Sequence, residues 1–290
     1  MDITLKEPQN KIPNENLRHT FIEADDLRNS GQTDQAVEKY KAIAVNSQES
    51  GETAMEAQAH QMIGVTLSNP NAKGKQIDDA LDHFNFAERI FREQNDTLNV
   101  ARVIRDKAGL FINAGKFDEN VRTFFDMSIS LLFSAKNNAN TREVNSEIGI
   151  TLSKLALATL YFEKNVPKAE GYIGIASHFI LMGDNEFFKA SYYIDNAQIK
   201  IAGKKDPRDD LNVAQELLTS NPGSYNKKIA QIYILRILYL ESLEPTLENR
   251  QELDNYSKIL QEQLDQMDNQ SRKSLESDAD RLKTSFVIVD

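Results

Sequence analysis

The sequence predicts an all-α fold built from stacked helix pairs, and three observations support it. Only 7 prolines and 12 glycines punctuate 290 residues, so the regular elements are long. One arrangement of small, large and glycine residues recurs along the first half of the chain. Apolar residues repeat at helical intervals, and no run alternates convincingly with a period of two.

The recurring phrase begins at Ala24. Leu27, Gly31, Ala36 and Tyr40 follow it, and Ala108, Phe111, Gly115, Asn120 and Phe124 keep the same spacings. Between them Gly64, Leu67, Ala80, Phe84 and Ala87 form a looser copy with a longer turn, "SNPNAKGKQID". A small residue lets a neighbouring helix approach, and a large one fills the adjoining gap. Glycine suits the left-handed position after a helix. Asp34 and Asp118 then stand where acids favour the next helix N-terminus. The stripe Ala36, Val37, Tyr40, Ile43 and Ala44 has helical spacing. A helix hairpin cannot cover its own apolar face, but stacked copies can.

Later pairs follow from periodicity more than from motif. Breaks are expected at Asn165–Pro167, Gly203–Pro207 and Pro245. The matched positions Tyr40, Phe84, Phe124, Ile173, Leu218 and Ile259 recur about every 40 to 49 residues, within the range of helical repeats. The expected pairs cover roughly 15–50, 52–95, 97–137, 141–182, 185–221 and 225–265. A lone amphipathic helix within 268–290 is expected to cap the stack, its "FVIVD" tail packed on that helix. Residues 1–14 read as a flexible arm, and 15–290 as one domain. A related solenoid with longer repeats and a non-repeating helical bundle are the alternatives.

The phrases "FIEADDLRNSGQTDQAVEKYKAI", "IDDALDHFNFAERIF" and "DKAGLFINAGKFDENVRTFF" resemble the tetratricopeptide repeat family. Asn120 stands where that pattern usually has alanine, the chain has no tryptophan, and its interval exceeds the usual unit of about 34 residues. The resemblance implies a right-handed superhelix of about six antiparallel helix pairs. It also implies a concave face, lined by the first helix of each pair, that binds protein or peptide segments.

Composition narrows the function. With no cysteine, disulfides, thiol catalysis and cysteine-based zinc sites are excluded. The formal net charge is -10 and no basic block is present, so nucleic acid is not an expected partner. No apolar run approaches a membrane span of about 20 residues, and the first residues lack the apolar core of a signal peptide. A cytoplasmic protein is expected. Histidines 19, 60, 83 and 178 show no metal-ligand spacing, although Glu56 and His60 lie one helical turn apart. No serine sits in a nucleophile elbow, and "NPNAKGKQ" lacks the phosphate-loop pattern. Neither an enzyme nor a cofactor is expected.

The remaining candidate is the surface that stacking creates. Superposing the first three copies on Ala24, Gly64 and Ala108 aligns Asn29, Asn69 and Asn113. An asparagine ladder offers donors and acceptors to a peptide backbone, although each position also suits a helix C-terminus. The same superposition aligns Arg18, Gln58 and Arg102, with Gln61 and Arg105 one turn further on. Two arginines suit a ligand carboxylate; the alternative is internal pairing with acids such as Asp106 or Glu93. The leading expectation is a binding scaffold or adaptor. The alternative is a peptide-sensing regulator whose superhelical curvature changes on binding. Homotypic assembly through the terminal helix or tail is a further option.

Overall fold

A computed structural model describes residues 15–68, 74–136, 139–220 and 225–286. The expected arm, Asn69 and the residues after Phe286 lie outside that set. The described residues form 13 α-helices and no strand. The first three pairs are α1 (Glu15–Asn29) with α2 (Thr33–Ser50), α3 (Thr53–Leu67) with α4 (Lys75–Glu93), and α5 (Thr97–Asn113) with α6 (Glu119–Ala135). Next come α7 (Thr141–Ala158) with α8 (Val166–Met182), α9 (Glu186–Ala202) with α10 (Arg208–Thr219), and α11 (Asn226–Glu241) with α12 (Leu247–Leu264). Helix α13 spans Asn269–Phe286, and a π-helical turn at Thr159–Glu163 extends α7.

Local chemistry sets these boundaries. Gly31 and Gly115 adopt φ +83° and +78° after α1 and α5, the left-handed conformation that glycine takes without steric cost. Asp96, Asp118, Asn140, Asn165, Asn185 and Thr246 accept backbone N–H bonds at the starts of α5, α6, α7, α8, α9 and α12. Each such cap stabilises its helix by about 1 kcal/mol. The cap position of α2, Gln32, makes no side-chain bond of this kind.

From α1 to α12 each helix packs against the next. Ala24, Ala36 and Tyr40 are fully buried between α1, α2 and α3. Gly64 of α3 faces Phe84 of α4 so closely that an added Cβ would lie 2.7 Å from the ring. Phe84 is itself wholly buried, a burial that stabilises by about 2 to 3 kcal/mol. In the first turns of α6 the buried positions are Val121 and Phe125; Asn120 is exposed and Phe124 half-buried. The third copy is therefore one residue out of the expected register. Its capping residue, Asp118, lies three residues beyond Gly115, whereas that of α2 directly follows Gly31.

Close contacts also join alternate helices, and these involve odd-numbered ones: α3 with α5, α5 with α7, α7 with α9, and α9 with α11. Helix α13 packs on more than the pair that precedes it. Its principal contacts are with α11, α9 and the π-helical turn, and its start reaches the turn between α1 and α2. The first helix pair and the last helix therefore meet. Met267, Leu275 and Ala279 join an apolar cluster with Ala190, Ile194, Leu211 and Leu235, to which α12 adds the half-buried Leu260 and Leu264.

Candidate functional site

Two features stand out on the odd-numbered helices. The first is a buried ionic network centred on Glu147. Arg102, Arg105 and Asp106 share a face of α5, while Glu143 and Glu147 lie one turn apart on α7. Arg102 Nε donates to Glu147 Oε1 at 2.6 Å, Nη2 to Glu143 at 2.7 Å and Nη1 to Asn99 at 2.8 Å. Arg105 Nη1 donates to Glu147 Oε2, and Nε donates to Asp106 at 3.0 Å. Gln61 of α3 donates to the other oxygen of Asp106 at 2.7 Å, and Phe188 of α9 lies 5.9 Å from the Arg105 guanidinium. Three helices are thereby tied through side chains alone.

Burial by itself would lower the pKa of Arg105. The charges of Asp106 and Glu147 overcome it and raise the pKa above the usual guanidinium range. Arg102 is raised in the same way, against its own burial, by Glu147 and Glu143. Beside the network lies an open pocket of about 280 Å³ lined by Arg102, Asn140, Glu143, Ser146, Glu147, Asp184 and Asn185. The network holds two arginines and three carboxylates, and the pocket adds Asp184. Each guanidinium is already paired with two carboxylates, Arg102 with Glu143 and Glu147 and Arg105 with Asp106 and Glu147.

The second feature is the seat of α13. Asp268 accepts from Ser271 N at 2.7 Å, capping its own helix. Its second carboxylate oxygen accepts from Thr33 N, at the start of α2. Asp268 N donates to Gly31 O at 3.0 Å, and the hydroxyls of Thr33 and Ser271 lie 2.8 Å apart. At Gly31 an added Cβ would lie 2.9 Å from Met267 Cγ, so this glycine serves the contact as well as the turn.

The candidate residues are distributed unevenly around these features. Gln61, Arg102 and Arg105 meet in the ionic network. Asn113 Nδ2 donates to Ser68 O at 3.0 Å, tying the ends of α5 and α3. Asn29 and Gln58 are half-buried on α1 and α3, and Arg18 is exposed on α1. Asn69 lies outside the described residues. Asp106 pairs with Arg105, whereas Glu93 pairs with Arg89 at 3.0 Å.

Sequence reasoning missed Glu147, Asp268 and the pairing of His60. Glu143 and Glu147 show the one-turn spacing of an acidic helix face, which gives no hint of their partners on α5. "MDNQS" carries an N-cap signal at Asp268, but nothing local announces Thr33. His60 Nδ1 lies 2.7 Å from His83 Nδ1, and its ring lies 4.2 Å from that of Phe86. Burial first, then the charge of His83, depresses the pKa of His60 to about 4. No group of three potential metal ligands occurs among the described residues.

No protein-family model matches this chain, and no curated protein matches it in sequence. No described helix is long and apolar enough to cross a membrane.

Proposed function

We propose that the chain is a non-enzymatic scaffold of the tetratricopeptide-like kind. It binds a segment of another protein on the face formed by its odd-numbered helices. The observation that supports this reading is α13, a helix lying across the π-helical turn, α9 and α11. The seat of this helix combines apolar side chains of α9 and α11 with polar anchors at the start of α2. Close contacts between alternate odd-numbered helices suit the inner side of a right-handed superhelix, where first helices crowd together. The net charge of -10 favours a protein partner over nucleic acid. In this reading the Glu147 network fixes the spacing of α3, α5 and α7, and its arginines organise the face.

Site-specific photo-crosslinking in the native cell tests the proposal. A photo-reactive residue at Gln58, half-buried on α3, is compared with one at Met127, exposed on α6. Adducts with a discrete protein from position 58 and none from position 127 are expected. Adducts only from position 127 would move binding to the even-numbered helices and overturn the proposal.

A further inference from the structure

We propose that α13 is an intramolecular competitor for a partner: an amphipathic helix, capped by an N-terminal acid, that takes the same seat. The inference rests on the scaffold reading and names its ligand class and its regulation.

The seat has two parts. One is apolar and is filled at four-residue spacing by Met267, Leu275 and Ala279, with Ser271 in the same stripe. Such spacing places Ser271, Leu275 and Ala279 on one face of α13, with Met267 just ahead of its cap. The other part is polar. The N-terminus of α2 lacks a side-chain cap of its own and presents the Thr33 N–H beside the Gly31 carbonyl. Helix N-termini favour anionic acceptors, and the Asp268 carboxylate occupies this one. A competing helix therefore needs an acid at its cap and a small-to-medium apolar stripe behind it.

Among the described side chains of this segment Met267, Ser271 and Leu275 are buried, whereas almost every residue of α7 from Val144 to Ala158 is buried. Helix α12, which leads into α13, buries none. Release of α13 therefore leaves the twelve-helix stack largely intact while uncovering the cluster around Ile194 and Leu235.

Two full-length variants test this. Asp268→Asn keeps one oxygen, enough to cap Ser271 N, but cannot also accept from Thr33 N. It loosens the anchor without uncapping α13. The pair Thr33→Cys and Ser271→Cys replaces two touching hydroxyls in a chain without cysteine, so its oxidised form fixes the helix in place. The probe is a fluorescent synthetic peptide of residues 266–286. Asp268→Asn is expected to bind it at least tenfold more tightly than the parent chain. The oxidised pair should not bind it, and reduction should restore binding. Tryptic cleavage at Arg272 and Lys273 reports release of α13 independently.

Equal peptide affinity for all three proteins would overturn the competitor. So would unchanged cleavage in Asp268→Asn, and in both cases the scaffold reading stands. Faster cleavage without peptide binding means that the uncovered face does not accept a helix, and it overturns the scaffold reading as well.

Discussion

The carboxylate of Asp268 accepts a hydrogen bond from the backbone N–H of Thr33, 235 residues away in the chain. Its other oxygen accepts from Ser271 N, so one side chain caps two helices. Asp268→Ala removes both caps and is expected to cost about 1 to 3 kcal/mol. Asp268→Asn keeps one acceptor and should cost roughly half as much. Urea unfolding of the two variants checks the order, and equal losses would mean that one of the two bonds contributes nothing.

Glu147 is the shared acceptor of two largely buried arginines. Removing it leaves both cations short of an oxygen, with only Glu143, Asn99 and Asp106 to serve them. Glu147→Ala is expected to destabilise the fold by about 3 to 5 kcal/mol. The loss should change little with salt, because the group is shielded from solvent. Denaturation at low and high ionic strength measures both quantities; a loss below about 1 kcal/mol would assign the pairing no structural weight.

At Gly64 an added methyl group meets the Phe84 ring. Gly64→Ala is therefore expected to destabilise by about 1 to 3 kcal/mol through overpacking. Phe84→Leu relieves the clash, so the double variant should lose less than the sum of the single losses. A double-mutant cycle reads that coupling directly, and simple additivity would contradict the predicted clash.

Acid should weaken the fold through His60. Its folded pKa of about 4 lies below the ordinary value of 6.5, so the folded state prefers the neutral ring. Its stabilising contribution is complete above pH 6.5 and falls as pH drops towards 4. The ring is partly exposed, so the change is limited to about 1 to 2 kcal/mol. The Nδ1–Nδ1 bond needs one protonated and one bare nitrogen, and full protonation of both rings breaks it. His83 is likewise depressed, by burial and by Lys41, with Asp79 and Asp82 acting the other way. NMR titration of the His60 ring together with pH-dependent unfolding tests this. A His60 midpoint near 6.5 would refute it.

Turn chemistry and helical periodicity made the all-helical architecture legible. Gly31, Gly115, Asn165 and Pro245 mark real helix ends because backbone conformation and capping are local properties. The small-to-large logic held at Gly64 and Phe84, where both partners belong to one pair. It slipped by one residue in α6, because the α5–α6 turn is longer than the spacing of Gly115 and Phe124 suggests. The arginines were visible as a same-face pair, but Glu143 and Glu147 reach them from the next pair of helices. The course of α13 was not legible. Its stripe shows that it needs an apolar neighbour, and that neighbour is chosen by three-dimensional closure.

Arrays of repeated helices ordinarily melt from their free ends, because a terminal unit has only one neighbour. Here the first hairpin is fastened to the last helix by Thr33 and Asp268. Opening of the α1–α2 turn and detachment of the start of α13 must break the same few bonds. The amide hydrogen of Thr33, which donates to Asp268, should therefore exchange with solvent only when the start of α13 lifts away, so protection at the first hairpin reports detachment of the last helix.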